Sequence, residues 1–181
     1  MAKLISKTYG DALFELAVEE DKVDVLLEET QQLQKILAEN EDFGKLMNHP
    51  KIIKEEKIKV AKNVFEGRIS EELFGFLTII ISKDRYGEID GILQYFVTRV
   101  KEHKGIGIAM VTTAVPLKDS QREAVEKRLL ETTQYRSMEM HYSVDASLIG
   151  GMVIRIGDRV VDSSISTKLN ELQRDLLKIQ L

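Results

Sequence analysis

The chain has no cysteine and only two prolines among its 181 residues. Without cysteine it can form no disulfide, thiolate metal site or thiol nucleophile, which fits a reducing compartment. An excess of positive charge is also lacking, because the net charge is -4 and the whole acidic excess falls in residues 1–105. Phosphate backbones are bound by basic surfaces, so this charge argues against a nucleic-acid-binding protein. An acidic surface can attract a basic segment, but it is more often only a solvated face.

Long hydrophobic runs are absent as well. The most apolar stretch is Leu73–Ile81, and at ~1.5 Å per helical residue it would cross only about half of a bilayer core of ~30 Å. The opening Met1–Ile5 lacks an extended apolar segment followed by a cleavage site, so we expect no signal peptide. If the protein works at a membrane, another component has to hold it there.

Apolar residues recur at helical spacing through the first 105 residues. They predict five substantial helices and one short one, in chain order over residues 4–20, 24–38, 43–47, 51–65, 73–81 and 89–100. Brief connections such as Asn48-His49-Pro50 separate them. We therefore expect an all-α six-helix bundle in residues 1–105.

The segment Leu73–Ile81 is apolar on nearly every face. Ser70 as N-cap and the acidic Glu71 and Glu72 in the first turn favour a helix over a strand. A helix that is apolar all round has to be covered all round. Either neighbouring helices of this chain cover it completely, or another protein fills a side that they leave open.

The first helix also has a wide apolar stripe. Its members recur at spacings of three and four residues: Ile5, Tyr9, Ala12, Leu13, Leu16 and Ala17. Phe14 and Val18 widen the stripe beyond one core-facing seam. The extra width is explained either by packing inside the chain or by a partner helix.

The pattern changes to a mixed one after Gly105, and the boundary between the halves is expected near Glu102–Gly105. Strands are predicted over residues 106–115 and 137–144, and Gly157-Asp158 has the sequence of a two-residue hairpin turn. Helices are predicted after a capping box formed by Ser120 and Glu123, and at the C-terminus after a cap at Ser164 or Ser166. Residues 106–181 thus predict a small α+β unit, and the whole chain an α+β fold.

No pattern of catalytic or cofactor-binding residues is present. His49, His103 and His141 lie far apart and lack the spacing of metal ligands. The glycines around Gly150 lead from strand to strand, so they offer no helix N-terminus to a phosphate. Acidic pairs lie at helix starts or beside lysines. We therefore predict a protein that is not an enzyme and has no cofactor or metal.

Three stretches resemble a known family. Tyr142–Asp158, continuing through Val160–Ser164, closely resembles the C-terminal signature of the delta subunit of bacterial F-type ATP synthases, a relative of the mitochondrial oligomycin-sensitivity-conferring protein. Tyr9–Ala17 resembles the family's Y-A-x-A-L-F-x-x-A opening, with Gly10 in place of the usual alanine. Phe76–Tyr86 resembles its F-L-x-L-L-x-x-x-x-R-L segment. The C-terminal motif is the most specific of the three.

The resemblance implies a stator subunit whose six-helix domain (residues 1–105) caps the catalytic head and receives the N-terminal helix of an alpha subunit. The receiving groove, between the first and fifth helices, would involve Tyr9, Ala12, Leu13, Leu16, Leu77, Ile80 and Ile81. The C-terminal unit (residues 106–181) would contact the C-terminal ends of the b subunits, through the region Met138–Leu181. The family works at the cytoplasmic face of the bacterial plasma membrane, held there only by the complex, and binds no nucleic acid through this subunit.

The sequence leaves two other hypotheses about function open. One is an unrelated helical adaptor or scaffold with the same layout, which only the identity of its partner distinguishes from a stator. The other is an enzyme whose site is built from dispersed polar residues. Nucleotide binding or turnover by the purified chain would favour the enzyme.

Overall fold

The computed structural model describes residues 2–179 of the chain. Within this range it has eight α-helices, two single-turn 3₁₀-helices and one four-stranded sheet, so the fold is α+β as the sequence predicts. The chain divides into two compact units, Met1–Val100 and Lys101–Leu181. None of the helices in residues 2–179 is both long and apolar enough to cross a membrane.

Every segment predicted as helical before Gly105 is helical. The helices are α1 (Ala2–Glu19), α2 (Val23–Glu39), α3 (Glu41–Met47), α4 (Lys54–Phe65), α5 (Glu71–Ser82) and α6 (Ile89–His103), with a 3₁₀-helix at Tyr86–Glu88. One difference is the start of α4, predicted at Lys51. Ile53 is extended, with ψ of 153°, so the helix begins only at Lys54, where two glutamates in its first turn complement its dipole.

Helix α5 begins as its sequence predicts. The Ser70 hydroxyl accepts a hydrogen bond from the backbone N–H of Leu73 at 3.4 Å, which caps the helix. Ser70 is itself held by Glu29 of α2, whose Oε2 accepts from the Ser70 hydroxyl at 2.6 Å. The cap therefore also fixes the start of α5 against α2.

A single hydrophobic core joins the helices of the first unit. Its buried members come from α1 to α6 and from the 3₁₀-helix: Leu13, Ala17, Leu26, Leu33, Met47, Ala61, Phe65, Leu73, Phe76, Leu77, Ile80, Ile81, Tyr86, Ile89, Ile92, Leu93, Phe96, Val97 and Val100. Helix α5 supplies five of them, which is why a helix with so few polar residues is stable in water.

The second unit is built on a mixed sheet. Its elements are β1 (Ile106–Thr113), α7 (Asp119–Thr132), β2 (Ser137–Val144), a 3₁₀-helix (Ala146–Leu148), β3 (Met152–Ile156), β4 (Arg159–Asp162) and α8 (Ile165–Ile179). The strand order is β2-β1-β3-β4. Strands β1 and β2 are parallel and joined through α7, whereas β1–β3 and β3–β4 are antiparallel. A parallel pair needs such a crossover connection.

Burial alternates along the central strand β1. Ala109, Val111 and Thr113 are buried on one face, and Met110 on the other face is exposed. Gly157 and Asp158 form the predicted hairpin turn between β3 and β4, with Gly157 at φ of +56°. One face of β1 is therefore buried throughout, and the other is half-buried except at Met110.

The helix caps of the second unit match the sequence only in part. The capping box predicted at Ser120 and Glu123 is wrong, because α7 already begins at Asp119 and Gln121 accepts from the backbone N–H of Lys118 at 2.9 Å. At α8 the cap is Ser164 and not Ser166. The Ser164 hydroxyl accepts from the backbone N–H of Thr167 at 3.2 Å.

Candidate partner-binding site

The seven residues predicted to bind a partner helix lie on α1 and α5, and they fall into two groups. Four are in the core and at most 3% exposed: Leu13, Leu77, Ile80 and Ile81. The other three lie on α1, where Ala12 is exposed and Tyr9 and Leu16 are half-buried. The free chain thus offers only the second group to a partner.

Contacts at both ends of α5 fix its place beside α1. At its start, Glu72 forms an ion pair with Lys22, which directly follows the turn after α1. The Lys22 ammonium also donates a hydrogen bond to the Glu72 carboxylate, and this bond holds the pKa of the Glu72 carboxyl below its ordinary value. Beyond its end, the 3₁₀-helix Tyr86–Glu88 contacts α1. The end of α1 and the start of α5 therefore lie close together, and both helices contribute side chains to one core.

Helix α6 covers another side of α1. The Tyr95 hydroxyl donates to Asp11 at 3.0 Å, and the Arg99 guanidinium lies 5.3 Å from the centre of the Phe14 ring. A Cβ added to Gly10 would lie 2.4 Å from the Tyr95 ring. This contact explains why glycine stands where the family's opening motif has alanine.

The accessible residues on α1 form a strip along one side of the helix. Tyr9, Ala12 and Leu16 are spaced three and four residues apart, and such residues share a face. We call these three residues the α1 strip. On α5 the exposed apolar residue is Ile79, which the sequence did not single out.

The second unit has an uncovered apolar stripe of its own, on α8. Five of its apolar residues are exposed: Ile165, Leu169, Leu172, Leu176 and Leu177. We call this set the α8 stripe. Its helical spacing was visible in the sequence as a sign of a helix, but not its exposure. In an isolated chain such a face is unfavourable, and exposed apolar patches of this kind mark interaction sites.

The residues of the C-terminal motif position α8. Asp162 accepts hydrogen bonds from the Ser164 backbone N–H and the Thr167 hydroxyl, both at 2.8 Å. These hydrogen bonds hold the pKa of the Asp162 carboxyl below its ordinary value, and the bond from the Ser164 backbone has the largest effect. A Cβ on Gly151, whose φ is +76°, would lie 2.4 Å from the Ser163 carbonyl oxygen. Close packing of this turn therefore requires glycine and fixes the start of the helix.

Neither surface carries the groups of a catalytic centre. Across residues 2–179, no three histidine, aspartate or glutamate side chains are placed to hold a metal ion. The His141 Nε2 lies 3.1 Å from the Glu139 Oε1, and Glu139 also forms an ion pair with Lys101.

Comparisons with known proteins agree on one family. The model of the ATP synthase delta (OSCP) subunit family matches residues 5–176. The chain is 53% identical to ATP synthase subunit delta of Lachnoclostridium phytofermentans, over 100% of both chains. It is 33% identical to ATP synthase subunit delta of Brevibacillus brevis, over 93% of this chain and 96% of that one. A chain in the cryo-EM structure of the Toxoplasma gondii mitochondrial ATP synthase hexamer has the same fold, with a TM-score of 0.78 at 16% identity over 95% of this chain and 97% of that chain.

Proposed function

This chain belongs to the ATP synthase delta (OSCP) subunit family, and from this premise we propose how its two units serve as a link in the stator. The resemblance read from Tyr142–Asp158 is confirmed, and the chain is a non-catalytic stator subunit of an F-type ATP synthase. The readings as an unrelated adaptor or as an enzyme are not favoured. What remains to be proposed is which surface binds which subunit.

In the proposal, α1 to α6 act as a six-helix bundle over residues 1–105 that caps the catalytic head and receives the N-terminal helix of an alpha subunit. The α1 strip supports this assignment, since an amphipathic helix binds through anchors at spacings of three and four residues. Each Å² of apolar surface buried gains about 25 cal/mol before the costs of association. Such binding needs no turnover, which suits a part that must resist the torque of a rotor.

The seven predicted residues take two roles in this proposal. Tyr9, Ala12 and Leu16 contact the alpha helix directly. Leu13, Leu77, Ile80 and Ile81 form the packed floor beneath it, because burial keeps them from a partner unless the helices separate. An aspartate at Leu13 or Ile80 would place an unpaired charge in the core. We expect such a variant to unfold the first unit, so it is a poor test of binding.

The second unit, expected over residues 106–181, is proposed to hold the C-terminal ends of the b subunits through the α8 stripe. The single observation in support is that this stripe stays exposed while the residues before it hold α8 firmly in place. The proposed location follows from both contacts. The chain would lie at the cytoplasmic face of the bacterial plasma membrane and be held there only through the complex.

Titration calorimetry of the full chain against a peptide from the N-terminus of the same organism's alpha subunit tests the first contact. We expect saturable one-to-one binding with a negative heat-capacity change, the mark of apolar burial. Leu16→Asp should weaken binding about tenfold or more, since an apolar anchor would be replaced by a charge.

The matched control for that experiment is Val18→Asp. Val18 is an exposed apolar residue of α1 that lies away from the α1 strip, so the same change should leave binding within about twofold. Far-UV circular dichroism verifies that both variants are folded. Equal losses in the two folded variants, or no binding by the folded wild type, would refute the assignment of the α1 strip.

A further inference from the structure

A cleft of about 610 Å³ lies in the first unit, away from the α1 strip. It is bounded by the connection between α3 and α4, the first turn of α4 and the end of α5. Its lining residues are part apolar and part charged, among them Met47, Ile52, Lys51, Lys54, Lys57 and Tyr86. The volume falls in the range of about 300–1,000 Å³ that is usual for small-molecule sites.

The first turn of α4 opens on this cleft without a cap. Ile53 stands at the N-cap position, where its side chain accepts no hydrogen bond. The first N–H groups of a helix have no partner within the helix, and together with the helix dipole they favour an anion. A helix start alone would not identify a binding site.

Lys57 is a second feature of this cleft that favours an anion. It lies on the inner side of α4, one turn before Ala61, and is only 6% exposed although it lines the cleft. Within residues 2–179 its ammonium has no hydrogen-bond or ion-pair partner, and the nitrogen itself is not fully buried, so the stem lies in the protein while the charged end meets the cleft. An ammonium held at the wall of a partly enclosed cleft is stabilised by an opposite charge or by hydrogen-bond acceptors placed there.

The carboxylate that could compensate Lys57 is already engaged. Asp84 forms an ion pair with Lys54 at 2.7 Å, and Lys54 also donates to the Ser82 carbonyl oxygen at 2.8 Å. The hydrogen bond from Lys54 is the main reason why the pKa of Asp84 lies below its ordinary value, and Lys57 adds to it only through its charge. With Lys51 and Glu55 also lining the cleft, three lysines face two carboxylates there.

We propose that this cleft binds a small organic anion, with its phosphate or carboxylate group between the Lys57 ammonium and the first turn of α4. The apolar part of the ligand then lies against Met47, Ile52 and Tyr86. Burial raises the pKa of the Tyr86 hydroxyl, so this group stays protonated at neutral pH and able to donate. None of the three residues of the α1 strip lines the cleft, although Ile81, placed in the floor of the alpha-binding site, does. Its function would be to bind a metabolite or to sense one, not to catalyse a reaction.

The first test is a titration of the ¹⁵N-labelled full chain, followed by amide chemical shifts. Three probes separate the anion from its apolar part: phenyl phosphate, inorganic phosphate and phenol. We expect saturable shifts at Lys54, Glu55 and Lys57 with phenyl phosphate, weaker ones with inorganic phosphate and none with phenol. Chemical-shift changes spread over lysines throughout the chain would show that ions only accumulate at the surface, and this would overturn the proposal. The absence of any change at high concentrations of phenyl phosphate would show that the cleft does not bind it, and would overturn the proposal as well.

Variants then test the role of Lys57. Lys57→Met should lower the affinity for phenyl phosphate about tenfold or more, because a charge-assisted hydrogen bond is lost. Lys59→Met removes the same charge from an exposed position of α4 outside the cleft and should change affinity less than about twofold. If Lys57→Met does not fold, Lys51→Met tests the site from its exposed rim and should weaken binding by a factor between those two. Equal affinities in the wild type and in each folded cleft variant would overturn the proposal.

Discussion

Two adjacent isoleucines on α5 offer the sharpest test of how the first unit is packed. Ile80 is 0% exposed and belongs to the core, whereas Ile79 is 50% exposed and lies outside it. Both residues are β-branched and sit in the middle of the same helix. Replacing each by alanine therefore makes the same chemical change in two environments. We expect the two variants to differ strongly in stability.

The magnitudes follow from burial. A fully buried isoleucine replaced by alanine costs about 2–5 kcal/mol, the sum of lost transfer free energy and the cavity left behind. At Ile79 only about half of the side chain loses contact with water on folding and no cavity forms. The higher helix propensity of alanine offsets part of that loss. The expected cost of Ile79→Ala is therefore below about 1 kcal/mol.

Urea unfolding followed by far-UV circular dichroism measures both costs, since the chain has no tryptophan to report by fluorescence. The urea concentration at the midpoint of unfolding of the first unit should fall clearly for Ile80→Ala and hardly at all for Ile79→Ala. If the two variants lose equal stability, or if Ile79→Ala loses more, then α5 is not packed in the orientation described. The floor proposed for the alpha-binding site would then be wrong as well.

Three further predictions concern single residues. Thr30 is buried in α2, and its hydroxyl has no hydrogen-bond partner within residues 2–179. Thr30→Val should therefore raise the free energy of unfolding, measured by urea denaturation, by about 1–2 kcal/mol. A loss of stability would show that the hydroxyl does have a partner. Gly10→Ala would clash with the Tyr95 ring and should lower the melting temperature, and Tyr95→Leu should relieve much of that additional loss; unchanged melting by Gly10→Ala would contradict the contact. Because the folded-state pKa of Asp162 is depressed, its stabilising effect is present above the unfolded pKa of about 3.9 and is lost as pH falls through the folded value. Asp162→Asn should therefore be less stable than the wild type at neutral pH, with the difference shrinking below about pH 4; a difference independent of pH would contradict this role.

Local patterns predicted the secondary structure well. Period-3.6 runs located all six helices before Gly105, and alternation over Ser137–Val144 gave the bounds of β2. The hairpin at Gly157 followed from its turn residues. These features depend on neighbours within a few residues. The early start predicted for α4 and the wrong cap of α7 also arose locally, where several polar residues could each begin a helix.

Non-local features were less predictable. The parallel pairing of β1 with β2 depends on how the crossover through α7 packs, which no local pattern specifies. The all-round apolar sequence of α5 does not tell which of its sides the other helices cover. The family resemblance placed Ile80 in the expected groove, and nothing in the sequence indicated that its neighbour Ile79 is the exposed one. On α8, helical spacing revealed an apolar face in the sequence, but it did not show whether the rest of the chain covers that face.

Formation of a three-part complex tests the proposed link most directly. A fragment from the C-terminal end of the b subunit is immobilised on a biosensor surface, and the alpha N-terminal peptide is added with and without this chain. The proposal predicts that the alpha peptide is retained only when the chain is present. Leu172→Asp on the α8 stripe should strongly reduce capture of the chain, whereas Leu16→Asp should strongly reduce retention of the peptide alone. Binding of the two partners that is mutually exclusive, or retention unaffected by either folded variant, would contradict the proposed link between the catalytic head and the stalk.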